Sequence, residues 1–292
     1  MTKFRKSSGG TKKFIVTKKQ TKPVEEEKSL NVTKKGKKTN KPIKKESSSL
    51  KQSTDPELIR LNKYIANAGV CSRREADELI ESGAIAVNEE VITVLGTKIK
   101  RTDIVKYQGK TLKIENHTYI LINKPKDYIT TVDDPQGRKT VMHLIQGACN
   151  ERVYPVGRLD RATTGILLLT NDGELTKKLT HPKHGVKKIY HVTLDKNVEK
   201  EDLTRLIEGV DLEDGLVKAD KADYHELMDK KHIGIELHSG KNRVIRRMME
   251  ALGYKVVKLD RVSFGDLTKK GLPAGKWRML EEREIAMLKM VK

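Results

Sequence analysis

Cysteine is scarce in this 292-residue chain, which contains only Cys71 and Cys149. No CxxC pair is present, and no cluster of cysteine and histidine has the spacing of a zinc site. We therefore expect no metal site, and we expect a reduced protein of an intracellular compartment.

Long hydrophobic runs are also missing. No apolar run reaches about 18 residues, the length that would indicate a membrane-spanning helix. The lysine-rich start of the chain also lacks the apolar core of a secretory signal peptide. The sequence therefore predicts no membrane partner and a cytoplasmic location.

Acidic and large apolar residues are rare in residues 1–54. Sixteen lysines and one arginine stand there against four glutamates, a charge of +13, whereas the remaining residues carry +7. A segment of this composition cannot bury enough surface to offset its ordering entropy, so we expect a disordered lysine-rich arm. The arm would either bind phosphates or act only as a solvating tail, and Glu25–Glu27 interrupt its positive run. The basic surplus indicates nucleic acid as the partner.

Residues 55–116 have the pattern of a small docking domain. The apolar repeat Leu58, Leu61, Ile65 and Ala68 predicts a first helix, which would end at Gly69. Ser72 opens a second helix with Glu75 as its capping-box partner. Two short strands, Ile85–Val87 and Val91–Val94, would follow. Two helices and a small sheet are too little for an enzyme and suit a binding module.

The segment RLNKYIANAGVCSRREADELIESGAIAVN, which starts at Arg60, resembles the RNA-binding module of ribosomal protein S4. That resemblance implies that the two helices present Arg60, Lys63, Arg73 and Arg74 to structured RNA. Arg73 and Arg74 lie in a first helical turn, where the helix dipole disfavours cations, so a partner is favoured over two solvated side chains. The family often has Asn-Gly at the hairpin, whereas this chain has Asn88-Glu89.

Residues 156–175, VGRLDRATTGILLLTNDGEL, carry the most informative chemical pattern. Asp160 lies between Arg158 and Arg161, just before an apolar run that predicts a buried strand. A carboxylate held in such a loop can act as a nucleophile or general base, and flanking arginines would keep it ionised and hold a polyanion. Taken alone, an Asp at this place could equally cap a turn or helix.

This segment resembles the signature of RNA pseudouridine synthases of the RsuA/RluB family, in which GRLD is followed by T-x-G, an apolar run and TNDGEL. The resemblance covers residues 57–292. It implies that Asp160 is the catalytic nucleophile, that uridine is isomerised without a cofactor, and that the active cleft crosses a mixed, bifurcated sheet.

Residues 117–292 are expected to form this larger catalytic domain, with an α+β fold and a mixed, mostly antiparallel sheet. Strands are predicted at Thr118–Ile122, Ile166–Leu169, Ile189–Leu194, Ile233–Leu237 and Val256–Leu259. Helices are predicted at Glu174–Leu179, Glu201–Glu208 and Asn242–Leu252.

Tyr190 follows a basic residue at the start of a predicted strand, as a tyrosine does in the family. The resemblance implies a ring that lies against the target base, and its hydroxyl can relay a proton. Without the resemblance, ordinary sheet packing would explain a tyrosine here. Lys124 lies in an Asn-Lys-Pro segment that resembles one flanking the family's RNA cleft.

The segment from Ser239 to Met249 resembles the family's G-R-N-R-x-V-R-R-M, with Lys241 in place of the usual Arg. By that match Arg246 pairs with the catalytic Asp. Arg243, Arg246 and Arg247 would share one helix face, where a basic N-terminus can bind phosphate or merely be solvated. We expect further RNA contacts from Arg158, Lys241, Asn242 and Arg243.

Together these features predict a monomeric ribosomal RNA pseudouridine synthase. The resemblance favours the large-subunit branch of the family, acting on the large subunit or its precursor. A small-subunit target remains an alternative, as does a non-catalytic RNA-binding assembly factor. The presence of Asp160, Tyr190 and Arg246 together favours the enzyme, because a binding protein has no need of all three.

Overall fold

The computed structural model of the protein describes residues 58–225 and 229–291. The lysine-rich arm that we predict for residues 1–54 lies outside these ranges. None of the helices in the described ranges is long and apolar enough to cross a membrane. Cys71 and Cys149 are free and half-buried.

The first module is a small sheet packed on two helices. Its elements are β1 (Leu58–Arg60), α1 (Leu61–Asn67), α2 (Arg73–Glu81), β2 (Ile85–Val87), β3 (Glu90–Val91), β4 (Lys98–Lys100), β5 (Val105–Tyr107) and β6 (Lys110–Thr111). Strands β3, β2, β5 and β6 form an antiparallel sheet in that order, and β1 pairs with β4. Ile65, Ala76, Ile85 and Val105 are fully buried between them.

The second helix follows the prediction closely, whereas the first is shorter than predicted. Ser72 and Glu75 form the predicted capping box at the start of α2. Leu58 lies in β1 instead of a helix, since α1 begins only at Leu61. The hairpin residues Asn88 and Glu89 have φ angles of 49° and 72°, so the turn keeps the left-handed geometry that Asn-Gly adopts readily.

The second module has a larger mixed sheet. Its strands are β7 (Tyr119–Lys124), β8 (Tyr154–Pro155), β9 (Thr164–Thr170), β10 (Lys188–Leu194), β11 (Lys221–Tyr224), β12 (His232–Leu237), β13 (Val256–Phe264), β14 (Leu267–Thr268) and β15 (Trp277–Met279). Its helices are α3 (Gly173–Thr180), α4 (Lys200–Glu208), α5 (Val244–Ala251) and α6 (Glu282–Met290), with 3-10 turns at Val141–Ile145 and Pro182–His184. The main strand order is β11-β12-β10-β13-β9-β7-β15, so the predicted α+β fold is confirmed.

The sheet consists of two antiparallel halves that meet at one parallel pair, β13 with β9. Only two residue pairs join them, Asp260 with Thr164 and Arg261 with Gly165. A Cβ atom on Gly165 would lie 2.2 Å from the Arg261 carbonyl oxygen, and Gly165 has a φ of 109°. Glycine is therefore required at this junction, next to the loop that carries Asp160.

The catalytic module differs from the predicted elements in several places. Strands β8, β11, β14 and β15 were not predicted, and β13 extends beyond the predicted Leu259 to Phe264. Helix α5 begins at Val244 and not at Asn242, because Arg243 adopts a left-handed φ of 47° that interrupts the helix. Helix α6 was not predicted, and its Met287 and Met290 are exposed, which weakens the helical pattern in the sequence.

Candidate active site

A cleft of about 490 Å³ opens beside the junction of the two half-sheets. Three segments that are distant in sequence form its walls: the loop before β9, the start of β10 and the loop before α5. Several predicted site residues line it together, namely Arg158, Asp160, Tyr190, Lys241, Asn242 and Arg243. Its size suits a small organic group such as a single nucleoside.

The backbone around Asp160 is held by hydrogen bonds on both sides. The Thr130 hydroxyl donates to the Leu159 carbonyl at 2.9 Å, and the Leu159 N–H donates back to it at 3.2 Å. The Thr163 N–H donates to the Asp160 carbonyl at 3.0 Å. The carboxylate of half-buried Asp160 makes no hydrogen bond or ion pair with any described residue, so it is available to a ligand.

The arginines beside Asp160 are not equivalent. Arg158 is exposed at the rim of the cleft. Arg161 pairs instead with Asp127, its Nε donating at 3.1 Å. The predicted contact of both arginines with the Asp160 carboxylate is therefore not formed, since neither makes an ion pair with it.

Lys124 does not present a charge to RNA, which corrects our prediction. Its side chain is fully buried, and its ammonium donates to the carbonyls of Pro125 at 3.0 Å and Arg161 at 3.3 Å. Burial lowers the pKa of Lys124 to about 8, against the opposing attraction of Asp127 and Asp160. Lys124 thus fixes the loop behind Asp160.

Tyr190 lies on β10, where it is half-buried and packs against the apolar clusters of both half-sheets. Its strand neighbours are Arg261 on β13 and Ile235 on β12, and a register shift separates it from Ile189. The extra residue of this bulge is Val262 on β13, because the pairing of β10 with β12 is uninterrupted. The Tyr190 side chain lines the same cleft as Asp160. The Tyr190 hydroxyl has no hydrogen-bond partner among the described residues.

Arg246 is buried on α5, so the predicted basic face shared with Arg243 and Arg247 does not form. The Arg246 Nη1 donates to the Val256 carbonyl at 3.0 Å, and its Nε is buried with no partner among the described residues. Burial and then Arg243 lower the pKa of Arg246, whereas Asp160 raises it. Arg246 and Asp160 therefore attract each other without a direct ion pair.

Asp214 organises the loop before α5. It accepts two hydrogen bonds from Arg247, at 2.9 and 3.1 Å, and its backbone carbonyl accepts one from the Lys241 ammonium at 2.8 Å. Lys241 is thereby restrained, whereas Asn242 and Arg243 remain exposed at the cleft.

Two further cations, Lys188 and Arg261, line the cleft, and neither was predicted from the sequence as a site residue. Burial, and then the charge of Arg261, lower the pKa of Lys188 to about 8. Arg261 is almost fully buried; its Nε donates to the Ile166 carbonyl at 2.9 Å, and its guanidinium lies 4.8 Å from the centre of the Phe264 ring. Strand alternation could have identified Lys188, which shares a face with Tyr190, but no local signal marks Arg261.

The predicted basic residues of the docking module lie away from this cleft. Lys63 donates to Glu174 of α3 at 2.7 Å, across the contact between the two modules. Arg73 is exposed and donates to Asn62 at 3.3 Å, and Arg60 and Arg74 are also exposed. Within the described residues, no group of three or more His, Cys, Asp or Glu could hold a metal ion.

Comparison with known proteins matches both modules. Residues 59–105 match the S4 domain model, and residues 118–251 match the RNA pseudouridylate synthase model. A crystal structure of a pseudouridylate synthase is similar with a TM-score of 0.57 and 31% identity, over 79% of this chain and 99% of that chain.

Three relatives illustrate the sequence similarity. Ribosomal large subunit pseudouridine synthase B of Bacillus subtilis is 41% identical over 235 residues, which cover 80% of this chain and 96% of that protein. An uncharacterised RNA pseudouridine synthase of Aquifex aeolicus is 40% identical over 79% of this chain and 93% of its own length. Dual-specificity RNA pseudouridine synthase RluF of Escherichia coli is 35% identical, over 78% of this chain and 77% of that protein. The chain therefore belongs to the RsuA family of RNA pseudouridine synthases, which are isomerases.

Proposed function

We propose that the protein converts a specific uridine of ribosomal RNA to pseudouridine, with the large-subunit RNA as its substrate. One observation carries the chemistry: the free carboxylate of Asp160 and the ring of Tyr190 line the same nucleoside-sized cleft. Ribosomal RNA as the substrate rests on the relative from Bacillus subtilis, which is named for the large subunit.

The reaction exchanges one bond to the ribose for another. The bond from C1′ to N1 breaks, a bond from C1′ to C5 forms, the C5 proton leaves and N1 gains a proton. No electron or group is transferred to another molecule, so the chemistry needs no redox partner or donor. Asp160 acts as the nucleophile of this isomerisation.

The surrounding residues prepare Asp160 for this role. Asp160 raises the pKa of the buried Arg246 cation, so the two groups attract each other, and the backbone bonds of Leu159 and Asp160 hold the loop in place. The target uridine must leave its stack to reach the cleft, and Tyr190 receives the extruded base. Exposed Arg158 and Arg243 at the rim are placed for the flanking phosphates.

The test is to map pseudouridine in both ribosomal RNAs from cells that contain or lack the protein. We expect one uridine of the large-subunit RNA to remain unmodified in its absence, and purified protein to restore the modification in a transcript. Loss confined to the small-subunit RNA would contradict the large-subunit assignment. An unchanged map, with no product in vitro, would contradict the function itself.

A further inference from the structure

A second cavity, of about 930 Å³, lies where the docking module meets α3 of the catalytic module. It does not include Asp160 or Tyr190. Both modules contribute basic residues to its walls, which include Lys63, Arg73, Arg152, Lys177, Lys178 and Lys183. We call this cavity the intermodule groove, and we propose that it binds the phosphate backbone of the substrate RNA next to the flipped uridine.

The charge of the groove points to a polyanion. Glu174 is the acidic residue among its lining side chains, and it is paired with Lys63 at 2.7 Å. Three cations that line the groove, Arg152, Lys177 and Lys183, make no side-chain hydrogen bond or ion pair with any described residue. Their charges are therefore available to phosphate groups, which RNA supplies at regular intervals.

The position of the groove links it to the catalytic cleft. The end of α3 separates the two cavities: Leu179 and Thr180 line the cleft, whereas Lys177, Lys178 and His181 line the groove. Lys177 and Lys178 also lie in the last turn of this helix, where cations are stabilised by its dipole. An RNA strand that leaves the cleft over this helix end would enter the groove directly.

This assignment gives the docking module a specific task. Lys63 and Arg73 on its two helices line the groove opposite the catalytic domain. The docking module and the catalytic domain therefore bind the same RNA segment. Arg60 and Arg74, which we also predicted as RNA contacts, do not line it. The inference rests on the proposed function, because the bound RNA is taken to be the substrate.

The test uses the full chain with three groove cations removed, Arg152→Ala, Lys177→Ala and Lys183→Ala together. The matched control removes three exposed lysines outside both cavities, Lys200→Ala, Lys218→Ala and Lys258→Ala, and so changes the net charge equally. Protein-free transcripts of the large- and small-subunit RNAs serve as separate probes. Affinity is measured over a range of salt concentrations, and isomerisation is measured in single turnovers.

We expect the groove variant to bind its substrate transcript at least about tenfold more weakly than the control variant. The slope of log affinity against log salt should fall by about two to three, since each lost phosphate contact removes roughly 0.7 to 0.9. The rate at saturating RNA should stay within about twofold of wild type, because the groove contributes no reacting group.

A double charge reversal, Lys177→Glu with Lys183→Glu, should weaken binding further than Lys200→Glu with Lys218→Glu. Equal affinities and salt slopes for the groove and control variants would overturn the inference. Absence of pseudouridine from both transcripts with wild-type protein would instead refute the proposed function. The binding comparison would still decide whether RNA occupies the groove.

Discussion

At the scale of single residues, burial changes the chemistry of the cations around Asp160. Lys124 is the clearest case, because its ammonium is enclosed and bonded only to backbone carbonyls. Its pKa falls to about 8 from 10.5 in an ordinary lysine. A lysine of this kind positions a loop instead of recruiting RNA, although its sequence motif gives no indication of burial.

Lys124→Met tests this role through the pH dependence of stability. Because the pKa of Lys124 is lower in the folded state, the unfolded chain binds more protons between pH of about 8 and 10.5. The free energy of unfolding of wild type relative to Lys124→Met should therefore rise with pH across this window. Urea unfolding at several pH values measures the difference, with exposed Lys126→Met as control. If the difference in unfolding free energy between wild type and Lys124→Met did not change with pH, the lowered pKa of Lys124 would be contradicted.

Gly165 is a second residue whose role follows from geometry. A side chain there would collide with the Arg261 backbone at the junction of the half-sheets. We expect Gly165→Ala to lower the free energy of unfolding by about 3 kcal/mol, from strain and overpacking together. Gly137→Ala is the matched control, with a φ of 65° but no atom within 4 Å of the added Cβ, and it should cost about 1 kcal/mol. Equal losses in thermal unfolding would show that the contact is unimportant.

At the scale of elements, the central strands could be predicted because their apolar runs are short, buried and bounded by turn residues. The run Ile166–Leu169 is fully buried within β9, and Ile233–Leu237 matches β12 with one residue added. Boundaries set by a single backbone angle, such as the start of α5 after Arg243, leave no such pattern. The burial of Arg246 and Arg261 could not be predicted either, since it depends on packing between distant segments.

The Asp172 side chain shows why the TNDGEL part of the motif is structural. Its carboxylate accepts the N–H groups of Glu174 and Leu175, at 3.1 and 3.0 Å, and so caps α3. It also accepts a hydrogen bond from the Tyr119 hydroxyl at 2.9 Å, which links the helix to β7. Burial, and then this contact, raise the pKa of Tyr119.

We expect Asp172→Ala to lower the free energy of unfolding by about 2 to 4 kcal/mol. The lost cap contributes about 1 kcal/mol, and the rest comes from the Tyr119 hydroxyl, which keeps only its longer contact with His117 Nδ1 at 3.5 Å. In a Tyr119→Phe background, Asp172→Ala should lower the free energy of unfolding only by the contribution of the helix cap. A double-mutant cycle by urea unfolding would measure this difference. An equal cost in both backgrounds would show that the hydroxyl contact adds nothing.

At the scale of the whole molecule, positive charge is concentrated outside the catalytic cleft. Residues 1–54 carry +13, although they lie outside the described residues. Deleting them should weaken RNA binding and flatten its salt dependence while leaving the modified uridine unchanged, because phosphate contacts carry no sequence information. Binding isotherms at several salt concentrations and pseudouridine mapping test this. An unchanged slope would show that the segment does not contact RNA, and a new site would show that it selects the target.

The contacts between distant segments were the least predictable feature of the molecule. The motif around Asp160 and the position of Tyr190 could be identified from the local sequence and from the family resemblance. Asp160 and Tyr190 share one cleft because β10 pairs with β13 and β13 pairs with β9. No local sequence pattern specifies these pairings. The intermodule groove could not be predicted from the sequence either, because residues from distant segments line it.

The central claim is that the Asp160 carboxylate performs the isomerisation. Asp160→Asn keeps the size of the side chain and removes its charge, so pseudouridine formation should fall by at least about a thousandfold while RNA affinity stays within about threefold of wild type. Exposed Asp266→Asn, the control, should retain wild-type rates. The direct measurement is tritium release from RNA labelled at C5 of uridine, because the isomerisation must expel that hydrogen. Release by Asp160→Asn at a rate near that of wild type would contradict the account.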